Sequence, residues 1–145
     1  MKRAQRLRPV QDIVEDAQKR LAQSVAAFEK RVLEGENKLQ ELIRYKAEYE
    51  QQFSQRAGRG IGATDLRDYQ AFLARLGEAI KQQQALVNRA RSEHQAERVK
   101  WQEALKRSRA LNHVVEQWQA EERHVKDRRD QRESDERAQR KVSRP

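Results

Sequence analysis

From Leu66 to Val125 the chain repeats one pattern without a slip. Stepping by alternating threes and fours gives Leu66, Tyr69, Leu73, Leu76, Ile80, Gln83, Val87, Ala90, His94, Glu97, Trp101, Ala104, Ser108, Leu111, Val115, Trp118, Glu122 and Val125. Thirteen of these eighteen are apolar or aromatic. That alternation belongs to a helix whose narrow apolar seam faces another helix in a left-handed supercoil. Only Gly77, off the seam, interrupts the run with a helix-weakening residue. At 1.5 Å per residue such a helix would be roughly 90 Å long. So thin a stripe cannot be buried by its own helix, so a partner is required.

Composition excludes most alternatives. Charged residues make up 38% of 145 positions and aromatics 6%, too few large apolar groups for a thick globular core. High charge with helical periodicity fits a coiled coil. The net charge of +9 favours acidic partners without choosing among them. There is no cysteine, hence no disulfide framework. The basic start, Met1 to Asp12, is not followed by an apolar stretch, so it does not read as a secretory signal. No apolar run is long enough to span a bilayer. A soluble cytoplasmic protein is expected.

The partner helix is expected within the same chain. A second seam runs Leu7, Val10, Val14, Ala17, Leu21, Val25 and Phe28, then Val32, Gly35, Leu39, Leu42, Lys46, Tyr49 and Phe53. It contains one four-four step at Ala17, Leu21 and Val25, a stutter that would locally unwind the supercoil. Pro9 suits the first turn of this helix. Between the seams lies a turn holding Gly58, Gly60 and Gly62. Thr64 or Asp65 is the expected N-cap of the second helix, with Asp65 and Asp68 in its first turn. A short loop makes the helices antiparallel neighbours. If the chain folds back, facing residues have numbers totalling about 118 to 119. Tyr49 then meets Tyr69, Leu42 meets Leu76, Phe28 meets Ala90, Ala17 meets Trp101 and Leu7 meets Leu111. Large faces small, as dense packing requires.

The expected fold is therefore all-α, two long helices in an antiparallel coiled-coil hairpin forming a single domain over 1–145. Helix 1 spans about 8–55, the turn 56–64 and helix 2 about 65–138, with a charged, frayed tail to 145. In this register the first helix runs out opposite Leu111. The second overhangs it at the C-terminal end, leaving Val114, Val115, Trp118 and Val125 without a facing helix. An aromatic on such a stripe marks a docking site or simply lies along a frayed helix.

No arrangement points to catalysis. His94, His113 and His124 are far apart, and Glu121-x-x-His124 is only a fragment of a metal motif. Gly58-x-Gly60-x-Gly62 is not a dinucleotide loop, and no phosphate-cradling loop occurs. No metal, cofactor or small-molecule substrate is expected. Ile43, Tyr45, Phe72, Ala79 and Leu86 lie beside the seams near the turn. They form either an exposed strip suited to a protein interface or a widened core.

Leu39-Gln-Glu-Leu42-Ile-Arg-Tyr45-Lys-Ala-Glu-Tyr49, the glycine turn, and Tyr69-Gln-Ala-Phe72-Leu-Ala-Arg-Leu76-Gly-Glu-Ala79-Ile80 resemble the central signature of the FliJ family of flagellar type III export components. Trp101 and the tail Lys126-Asp-Arg-Arg-Asp-Gln-Arg-Glu-Ser-Asp-Glu136 are also similar to that family, so the resemblance covers essentially the whole chain. It implies a two-helix coiled coil, shaped like the central stalk of a rotary ATPase, that assembles with the hexameric export ATPase. It further implies coupling to the export gate and binding of export chaperones, on the cytoplasmic side and at the membrane only through partners. The family's contact with the cytoplasmic domain of the gate protein maps to Leu42, Tyr45, Tyr49, Phe72, Leu76 and Ala79, with a further position at Gln83. The end carrying both termini would enter the ATPase ring. Here that end holds Lys2, Arg3, Arg6, Arg8 and Trp118.

Two other readings compete. A basic coiled coil could bind nucleic acid through phosphates. Its cations, however, are interleaved with 23 acids and no groove-reading motif is present. A generic scaffold or dimeric coiled coil is the third.

Overall fold

Covered positions at alternating three- and four-residue spacing decide how the two helices of this chain are held. The structure, a computed structural model, describes residues 2–143. It contains α1 (Arg3–Ala57) and α2 (Ala63–Ser143), joined by Gly58 to Gly62. The two helices pack against each other antiparallel, as an all-α helical hairpin. They fall into two compact units, Met1–Arg20 with Trp101–Pro145, and Leu21–Lys100.

On α2 every seam position from Tyr69 to Glu122 is buried or half-buried. The end positions Leu66 and Val125 are exposed, at 42% and 58%. The periodicity therefore locates the covered face even where it carries Gln83, His94, Glu97 and Ser108. On α1 the face differs from expectation at one end. Val10 and Ala17 are exposed, while Gln11 and Gln18 are half-buried. The covered face is thus Ala4, Leu7, Gln11, Val14, Gln18 and Leu21, in strict alternation. No four-four step exists. A seven-residue repeat keeps one side of the helix on its partner, and that geometry outweighs the polarity of two glutamines.

In the unit Leu21–Lys100 the core is Leu39, Leu76 and Val87, with Gln83 buried among them. Burying a side chain such as Val87, which is 0% exposed, contributes about 1.5–3 kcal/mol. Two seam residues each sit between two partners. Tyr69 lies between Tyr49 and Phe53, and a Cβ at Gly35 would meet both Gln83 and Val87. One member of each pair matches the expected total of 118 and the other falls four residues on. Gly35 is the small residue that lets Gln83 in: the Gln83 Nε2 donates to the Gly35 carbonyl at 3.1 Å. A Cβ there would stand 3.3 Å from Val87 Cγ2.

In the unit Met1–Arg20 with Trp101–Pro145, Ala4 and Val115 are buried, at 5% and 3%. Gln11 bonds Asn112, and the Ser108 hydroxyl donates to Glu15 at 2.8 Å. Both pairs total 123, so α1 reaches about one turn further along α2 than expected. Arg3 reaches Glu121, and the Ala4 amide donates to Glu122. The overhang therefore begins beyond Glu122 rather than at Leu111. Val115 and Trp118 are covered. An earlier helix start adds to that register: α1 begins at Arg3, and Pro9 lies inside it. An interior proline removes the bond to the Gln5 carbonyl and disfavours helix. The contacts of Arg3 and Ala4 with α2 oppose that loss.

Gly60, with φ of +93°, turns the chain, and Arg59 and Gly60 donate back to Arg56 and Ala57. Gly62, not Thr64 or Asp65, caps α2: its carbonyl accepts from Leu66. Asp65 lies in the first turn, on the side the dipole favours. At the other end α2 runs to Ser143. Residues 139–143 of the tail expected to fray are therefore helix, and Arg144 and Pro145 lie outside the described residues.

Candidate functional site

Seam geometry positions an aromatic cluster near the turn, in the unit Leu21–Lys100. Phe53 and Tyr69 stack with centroids 3.5 Å apart and planes at 8°. Tyr49 stacks on Tyr69 at 5.4 Å and meets Phe72 at 4.5 Å. Tyr45 completes the set, edge-on to Phe72 at 6.0 Å and 88°. Such pairs add about 0.5–1.5 kcal/mol beyond area burial. Burial pushes the Tyr69 phenol above its ordinary range, helped by Glu50 and then Tyr49.

The six residues carried over by resemblance divide by exposure. Leu76 is core, at 7%. Leu42, Tyr49, Phe72 and Ala79 are half-buried, and only Tyr45 is open, at 49%. The structure joins Tyr45, Tyr49 and Phe72 and adds Phe53 and Tyr69, which stood on the expected seams but not among the site residues. Gln83 is 7% exposed and bonded to Gly35, so it faces the core. The off-seam strip also separates. Phe72, Ala79 and Leu86 are seven apart and share one edge of α2, the edge on which Tyr45 meets Phe72. Ile43 is two residues from Tyr45, and helix positions two apart do not share a face. It belongs to the opposite edge.

The second cluster lies where α1 begins. The Arg3 guanidinium stacks 4.5 Å above the Trp118 ring and bonds Glu121 at 2.9 Å. Trp118 is thus half-covered by Arg3 rather than bare, and Glu121 of the Glu121-x-x-His124 pair is engaged by an arginine. Lys2 and Arg3 line a hollow of about 510 Å³ with Val125, Lys126 and Arg129 and with the acids Glu121, Glu122 and Asp130. Arg8 lines a different hollow, of about 580 Å³, with Gln11 and Asn112. Arg6 is exposed. The five residues expected at this end therefore form no single pocket. The four cations are exposed at separate places on and just before α1, and Arg3 alone lies against Trp118.

Among the described residues, no group of three or more His, Asp or Glu side chains is placed to hold a metal ion. No helix is long and apolar enough to cross a membrane.

Compared with known proteins, the chain matches the family described as flagellar FliJ protein over residues 1–145. No curated protein and no solved structure matches it.

Proposed function

The chain belongs to the flagellar FliJ family and is a flagellar export component, and we propose that it acts by binding, joining the hexameric export ATPase to the export gate. In this reading the edge carrying Tyr45 and Phe72 takes the cytoplasmic domain of the gate protein. The exposed cations Lys2, Arg3, Arg6 and Arg8, with Trp118, take the ATPase ring as a central stalk would. Export chaperones are its third class of partner. It works on the cytoplasmic face and meets the membrane through these partners.

The observation that supports the reading most is Tyr45. It is an aromatic residue 49% exposed yet packed edge-on against Phe72. Half-exposed aromatics on a rigid element are typical anchors of protein interfaces. Arg6 and Arg8 are exposed and make no ion pair among the described residues, leaving both free for an acidic lining.

The test is paired co-purification. Tyr45→Ala is expected to lose the gate domain and keep the ATPase. The double variant Arg6→Glu, Arg8→Glu is expected to do the reverse, with circular dichroism unchanged in both. If neither variant alters capture of either partner, the assignment is wrong.

A further inference from the structure

The unit Met1–Arg20 with Trp101–Pro145 is closed by a thin seam. On the covered face of α1 only Ala4 is buried, while Leu7, Gln11, Val14 and Gln18 are half-buried. Two of those five side chains are amides, and the larger apolar residues Val10 and Ile13 stand outside the seam, at 44% and 69% exposure. The facing stripe of α2 holds Trp101, Ala104, Ser108, Leu111, Val115 and Trp118. Among the described residues the indole Nε1 of Trp101 is buried without a hydrogen-bond partner, and an unpaired buried donor is a cost that contact with water removes. Pro9 takes one bond out of the α1 ladder. At the outer end Arg3 holds Trp118 and Glu121, but that ion pair is 59% and 64% exposed, so it adds little. The unit Leu21–Lys100 is built otherwise. Leu39, Leu76 and Val87 are its core, and Tyr49, Phe53, Tyr69 and Phe72 pack ring on ring. Segments with few buried apolar contacts open first.

We propose that residues 3–20 form a releasable strap, which lifts from α2 and reseats while the unit Leu21–Lys100 stays folded. Closed, the strap shields the apolar stripe of Leu111, Val115 and Trp118. Open, it bares that stripe and lets water reach the Trp101 indole. Access to the stripe is thereby set by the strap's own equilibrium. Gln11 and Gln18 keep that equilibrium loose, because each occupies a seam position where an apolar side chain would hold the strap down. The strap's release depends on neither of the partner surfaces assigned above.

Hydrogen exchange on the full chain, read by mass spectrometry, tests this in the parent and in the double variant Gln11→Leu, Gln18→Leu. In the parent, amides of residues 7–20 are expected to exchange about tenfold faster or more than those of residues 25–53. In the variant, protection over residues 7–20 should rise about tenfold, while that over residues 25–53 stays within about twofold. Should the double variant fail to fold, Gln18→Leu alone is expected to give a rise of about threefold over the same residues. Acrylamide quenching supplies a second reading, because both tryptophans lie in this unit and all three tyrosines in the other. Tryptophan emission should be quenched less efficiently in the variant, by about half. Equal protection of the two segments in the parent would overturn the strap, as would a variant that raises both alike, since the hairpin would then open only as a whole. Protection that climbs evenly from residue 7 with no step near residue 20 would also overturn it, in favour of fraying from the end.

Discussion

Residues with polar side chains settle most of what was hardest to read. Gln11 and Gln18 lie on the covered face while Val10 and Ala17 lie off it, so choosing the more apolar neighbour misplaces the seam and invents a stutter. The short α1 and the bare Trp118 come instead from placing Pro9 in the first turn, whereas it lies inside the helix. The period was legible; the side that wins when a valine and a glutamine are adjacent was not, because it depends on the helix opposite. Gln83 carries a direct consequence. Its amide is buried and bonded to the Gly35 carbonyl. Gln83→Ala should therefore lower stability by about 1–2 kcal/mol, from a lost buried bond and a small void. Capture of the gate domain by the folded fraction should not change. A chemical melt beside a titration checks both, and loss of binding at unchanged stability would return Gln83 to the contact surface. Pro9 offers the opposite sign. It breaks the helix ladder inside α1, so Pro9→Ala should raise stability by up to about 3 kcal/mol, seen as a higher melting midpoint. An unchanged or lowered midpoint would mean the segment before Pro9 is not held as helix.

At the level of elements, the long apolar seam of α2 was readable, and its helix was expected to about residue 138, five short of the end at Ser143. Beyond Val125 no apolar stripe remains, and a helix polar all round normally fails unless charge pairs support it. Here opposite charges recur four apart: Lys126 with Asp130, Arg129 with Glu133, Arg132 with Glu136 and Glu136 with Arg140. Each such pair adds about 0.2–0.5 kcal/mol. That spacing, invisible to a search for hydrophobic periodicity, favours helix toward Ser143, and the Gln131 amide also donates to Asp135. A peptide of residues 123–143 should show partial helix in water that falls when salt is raised, by circular dichroism. A coil signal at low salt would mean the tail depends on the rest of the chain. The start of α2 is the weaker terminus. Gly62 caps it without a side chain, and a Cβ there meets nothing within 4 Å. Gly62→Ser should therefore stabilise by a few tenths of a kcal/mol.

For the molecule as a whole, the two surfaces differ in the force they can use, and that difference can be measured. Residues 1–20 and 101–145 hold 18 Lys and Arg against 12 Asp and Glu, while residues 21–100 hold 14 against 11. Two-thirds of the excess charge thus lies in the segments assigned to the ATPase. The edge proposed above for the gate protein is carried by the aromatic pair Tyr45 and Phe72. Exposed charges are screened over about 10 Å at 0.1 M salt and about 3 Å at 1 M, whereas apolar burial is not weakened by screening. Raising sodium chloride from about 0.05 M to about 0.5 M should weaken ATPase capture about tenfold or more and gate-domain affinity by about twofold or less. Surface-immobilised binding of each purified partner, on one preparation of the chain, gives both slopes. Arg6→Glu with Arg8→Glu should flatten the ATPase slope, because fewer cations remain to be screened, and should leave the gate slope as it was. Equal slopes for the two partners would mean that charge does not separate the surfaces, and the assignment of the basic end to the ring would lose its physical basis.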